Sequence, residues 1–89
     1  MAKKRRKLNK DFEKKIYTSK KNVELVLAKI YDIDDEDIQK EYISAFNIVV
    51  LKYDELKEDY EEKGFNDFSE KLLSNYKKAF NLFESEYEI

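Results

Sequence analysis

Phe12, Ile16, Ser19, Val23, Val26 and Ile30 follow one another at intervals of four, three, four, three and four residues. That rhythm puts all six on one side of an α-helix and predicts a helix over residues 9–31. Ser19 is the polar member of the stripe, and the stretch TSKKN around it (18–22) offers a break into two shorter helices as the alternative. A second stripe runs through Ile38, Tyr42, Ala45, Val49, Tyr53, Leu56 and Tyr60, widened by Ile43, Phe46 and Val50. It predicts a helix over 35–63. The third comprises Phe68, Leu72, Tyr76, Ala79, Phe80, Phe83 and Tyr87 and predicts a helix over 67–87.

The chain has no proline and one glycine, so its punctuation must come from capping side chains. In YDIDDEDI, Asp34 as N-cap would set Ile33 and Ile38 in a hydrophobic staple, with acidic side chains at the positive helix end. Gly64 suits a left-handed cap after the second helix. In DFSE, Asp67 and Glu70 have the spacing of a capping box. Short connections make neighbouring helices antiparallel. The expected fold is therefore all-α: an elongated antiparallel three-helix bundle, with a middle helix about 42 Å long as its spine. A basic N-terminal arm (residues 1–8) would precede a single helical domain (9–89).

Eighty-nine residues allow one domain, and a chain this short must use its core efficiently. Six Phe and seven Tyr supply large rings for that core. Charged residues make up 43% of the chain, but they alternate with periodic apolar positions, as in a folded helical protein. Lysine, Asn, Ile, Tyr and Phe are plentiful. They share AT-rich codons and point to an AT-rich genome, such as that of a low-GC bacterium or its phage. No apolar run follows the basic start, and none approaches the roughly 20 residues of a membrane span. The expectation is a cytoplasmic protein that does not engage a membrane.

Histidine and cysteine are both absent. Their absence removes the usual general base, the thiol nucleophile and the common zinc ligands. One glycine cannot build a phosphate-cradling loop. DIDDEDIQKEYI has the acidic density of a calcium loop, but Asp37 occupies the sixth place, where glycine is needed. Ile43 occupies the twelfth, where the loop needs glutamate. No cofactor, metal or small-molecule substrate is expected, and the chain reads as non-enzymatic.

Charge is partitioned along the chain. Residues 1–31 hold 11 basic and 3 acidic side chains, a net of +8; residues 32–89 hold 7 basic and 17 acidic, a net of −10. Lys3, Lys4, Arg5, Arg6 and Lys7 form the arm, and KKRRK also matches the pattern of a nuclear-import signal. Lys10, Lys14 and Lys21 lie opposite the first apolar stripe, with Tyr17 beside them. Together these residues would hold phosphates of a nucleic acid in a salt-dependent manner.

An internal explanation competes. If the first two helices are antiparallel, residue 9 lies near residue 57 and the arm lies beside YDELKEDYEEK. The acids there crowd a helix C-terminus, where exposed carboxylates cost about 0.3–1 kcal/mol each. At the other pole, Asp32, Asp34, Asp35, Glu36 and Asp37 should lie near Glu84, Glu86 and Glu88, forming an acidic surface suited to a basic partner.

Within NIVVLKY, Ile48 and Leu51 point away from the main stripe, and Leu25 is likewise opposite its own. Ile48 and Leu51 are neighbours by the i,i+3 rule and would seed a homodimer or partner contact, with Leu25 a further candidate for such an interface. The expected function is a small protein-interaction module, acting as a regulator, inhibitor or assembly factor through a helical surface. The alternatives are a nucleic-acid-associated protein and a structural component of a larger particle.

Overall fold

The computed structural model describes residues 7–89 and contains three helices, α1 (Lys10–Tyr31), α2 (Glu36–Lys63) and α3 (Ser69–Glu86). Lys3, Lys4, Arg5 and Arg6 lie outside the described residues. Asn9 starts α1: its backbone is extended and its side-chain oxygen accepts from the Phe12 N–H at 3.0 Å. α1 then runs unbroken through TSKKN. Ser19 is buried, but its hydroxyl donates to the Lys15 carbonyl at 2.8 Å, so no polar atom is stranded and the turn continues.

The cap of α2 is Asp35, not Asp34. Its carboxylate accepts from the Asp37 and Ile38 N–H groups at 2.9 and 3.1 Å. This one-residue shift moves Ile38 to the third helical position, one short of the staple position, and leaves it 47% exposed. Gln39 ties the corner instead, its amide donating to the carbonyls of Ile30, Tyr31 and Ile33 at 3.1–3.4 Å.

At the far end, Gly64 has the positive φ expected of it (73°) but an extended ψ of −163°, so it opens the chain out instead of curling it into a left-handed turn. The Gly64 N–H still closes on the Tyr60 carbonyl at 2.8 Å. The next residue, Phe65, donates its N–H to the Lys7 carbonyl at 2.6 Å, which pins the root of the arm to this corner.

α3 begins at Ser69, one residue later than the DFSE box implies, with Phe68 at the N-cap and no side-chain cap bond, so the Asp67–Glu70 box does not form. Asn66 and Ser69 organise the turn instead: the Asn66 side-chain oxygen accepts from the Phe68 N–H, and Ser69 Oγ accepts from the Asn66 N–H, both at 2.9 Å. The Asn66 amide also donates to Asp59 at 2.8 Å. Phe68 is consequently 63% exposed, and Leu73, which the predicted stripe omits, is buried. Ser69, Leu73, Tyr76, Phe80, Phe83 and Tyr87 form the actual stripe, with Leu72 on its flank.

Both outer helices pack on α2, α3 more intimately than α1, and α1 and α3 approach each other far less. The register is antiparallel at each hairpin. Asn9 N–H donates to the Tyr60 hydroxyl at 3.0 Å, and that hydroxyl also bonds the Glu13 carboxylate. At the other pole the Tyr42 hydroxyl donates to the Glu88 carbonyl at 3.1 Å, bringing the C-terminal segment beside the start of α2. Aromatic edges join the layers: Phe12 meets Phe65 at 5.1 Å, and Phe46 meets Phe83 at 4.8 Å between centroids. Such pairs contribute about 0.5–1.5 kcal/mol each beyond area burial. The result is an elongated bundle of 54 × 24 × 18 Å.

Burial pushes the Tyr53 and Tyr76 phenols above their ordinary value of 10.0, and at Tyr53 the nearby carboxylates of Asp54, Glu24 and Glu61 add to the shift. The folded state thus holds these protons more tightly than the unfolded chain. Stability from this source is complete below about pH 10 and is lost as pH rises beyond it. An ultraviolet tyrosinate titration should show Tyr53 and Tyr76 ionising above the ordinary phenol value, together with loss of helix. Simultaneous ionisation of all seven rings in a still-helical chain would contradict the burial.

Candidate interaction groove

α1 turns its apolar stripe to α2, and the face left towards α3 reads Lys14, Thr18, Asn22, Leu25 and Lys29. α3 answers with Lys77, Asn81 and Glu84. Two largely polar faces gain little from close packing, so the helices stay apart. They are tied at Ser19, small enough to admit the Tyr76 ring, whose hydroxyl donates to the Ser19 carbonyl at 3.3 Å.

Beside this tie the two helices enclose an open groove of about 620 Å³. Its floor is apolar, made by Val26, Tyr76 and Phe80, with Leu25 and Ile89 at the sides. Its rim is basic: Lys14, Lys15, Lys29 and Lys77 supply four ammonium groups against the single carboxylate side chain of Glu84. No residue of α2 lines it, so the groove lies on the side of the bundle away from the spine.

The structure divides the apolar residues marked in the sequence between two surfaces. Leu25 is 56% exposed and lines the groove. Ile48 and Leu51, each 48% exposed, lie on α2 and do not line it. The basic residues are divided too. Lys14 stands on the groove rim, and Lys10 is exposed at the first turn of α1. Tyr17 occupies the other flank of α1, in a shallow depression shared with Lys20, Tyr53 and Lys57. The Lys21 ammonium sits 5.3 Å from the Tyr17 ring centroid, a cation–π contact that covers one ring face. Lys7 lies 5.9 Å over Phe65. Lys15, Lys29, Lys77 and Ile89 join the groove without a signal in the apolar pattern, whereas Phe80 joins it from the third apolar stripe.

α1 does fold back along the spine, with Asn9 beside Tyr60, three residues beyond the expected neighbour. Two ion pairs lie within α2, Lys52–Glu55 at 3.8 Å and Lys63–Asp59 at 3.5 Å, and across the first hairpin the Tyr60 hydroxyl donates to the Glu13 carboxylate.

Among the described residues no cluster of His, Cys, Asp or Glu is placed to hold a metal ion. No described helix is long and apolar enough to cross a membrane. The class that these observations define is an all-α three-helix bundle, open along one side. Comparison with protein-family models, with curated proteins and with solved structures finds no match to this chain.

Proposed function

We propose that this chain is a small non-enzymatic interaction module, a regulator or assembly factor that holds a protein partner in the α1–α3 groove. One observation carries the reading. A partly apolar groove opens to solvent between two helices that meet at the Ser19–Tyr76 tie, framed by four lysines. Apolar floors with charged rims are the anatomy of protein interfaces.

The test is affinity capture from the native host with three baits: the wild type, Leu25→Glu in the groove, and Leu82→Glu on the outer side of α3. Leu82 is exposed and does not line the groove, so it controls for added charge. A protein retained by wild type and Leu82→Glu, but at least about tenfold depleted with Leu25→Glu, is the expected result; tenfold corresponds to about 1.4 kcal/mol. Equal recovery by all three baits would overturn the groove as the binding surface.

The exposed lysines of α1 sustain the second reading, nucleic-acid association. Fluorescence anisotropy with labelled DNA and RNA over a salt series decides it. The module reading expects no micromolar binding at physiological salt. Binding that steepens as salt falls and weakens when Lys14 and Lys21 are replaced would favour nucleic acid instead.

A further inference from the structure

The groove has a complement on the same molecule. α2 turns its exposed face away from the core, and that face carries Ile48 and Leu51 at its centre. Around them stand the exposed carboxylates Asp37, Glu41, Glu55, Glu58 and Glu62, with the ammonium of Lys40 among them and that of Lys52 paired to Glu55 at 3.8 Å, so the acids remain in excess. This is an amphipathic surface with an acidic surround. The groove is its inverse: Leu25 and Phe80 lie in the apolar centre, and four ammonium groups face one carboxylate on the rim.

We infer that the occupant of the groove is a second copy of this chain, which seats the outer face of its α2 between α1 and α3. The inference rests on the groove being the binding surface, and charge complementarity selects the occupant. Ile48 and Leu51 meet Leu25 across the contact, so the three exposed apolar residues separated within one molecule are joined between two.

The groove and the α2 face lie on opposite sides of the bundle, so one molecule cannot use both on the same neighbour by a two-fold axis. The contact is head-to-tail, and each addition leaves a free groove at one end and a free α2 face at the other.

Sedimentation equilibrium of the full chain tests this directly. Between about 10 μM and 1 mM, the span of weak self-association, the average mass should climb past twice the monomer's 10.8 kDa without levelling at the dimer. Leu25→Glu, which blocks the groove, and Leu51→Lys, which spoils the α2 face, should each stay monomeric with unchanged helical circular dichroism. Both residues are exposed, so neither change removes core packing.

An equimolar mixture of the two variants has one good groove and one good face. It should associate and stop at two chains. A dimer indifferent to Leu25→Glu, or variants that fail to rescue each other, would replace this contact with a symmetric one. A wild type that remains monomeric at about 1 mM would overturn self-association, whereas the groove itself stands or falls on the capture test with Leu25→Glu.

Discussion

Replacing Phe46 with alanine is expected to lower the free energy of unfolding by about 3–5 kcal/mol, the largest single-residue effect in the chain. The side chain is fully buried where α2 meets α3, with edge contacts to Phe80 at 6.1 Å and Phe83 at 4.8 Å. Alanine removes the transfer energy of the ring and both aromatic contacts, and leaves a void that helices packed on each side fill only by tilting. Domains of this size have about 5–15 kcal/mol in total, so the variant should unfold at a much lower urea concentration with a similar slope. A loss under about 1.5 kcal/mol would mean that the α2–α3 seam closes over the gap, and that this packing is not the anchor of the fold.

The second large effect is at Gly64. Its φ of 73° with ψ of −163° lies in a region essentially confined to glycine, and the residue is buried against the backbone of Lys7. Gly64→Ala should cost about 1–3 kcal/mol from backbone strain alone. A semisynthetic chain with D-alanine at the same place separates the two possible causes, because the mirror-image residue favours this conformation. If D-alanine restores wild-type stability, the cost is conformational. If both alanines destabilise equally, the cause is crowding of the Cβ against the Lys7 backbone, and the strain argument fails.

Apolar spacing made the architecture legible because it records which side of each helix the spine covers. Phe12 through Ile30 all face inward as their intervals require, and Ser19 fits once its hydroxyl can return to the Lys15 carbonyl. The errors lie at helix starts, where several residues compete for one cap. In DIDDEDI any of the first acids can cap, and the choice of Asp35 depends on Gln39 reaching back to α1. In GFNDFSE no side chain caps α3, whose N-cap position falls to Phe68. Asn66 holds the preceding turn through Asp59 and the Gly64 carbonyl, and Leu73 instead of Phe68 is buried.

Ile48 and Leu51 were readable as outward-facing, because they stand opposite a clear stripe. The groove was not. Periodicity identifies the polar face of α1 but not what stands across from it, so Leu25 is readable as outward-facing and a candidate for contact, while its place in a groove shared with α3 is not.

α1 is held mainly by one neighbour, whereas α2 and α3 are joined along an aromatic seam. α1 therefore has the smaller share of the interhelical packing to lose, and local opening is expected to begin with it. The lysine-framed recess exists only while α1 is docked, so an occupied recess reports a closed bundle.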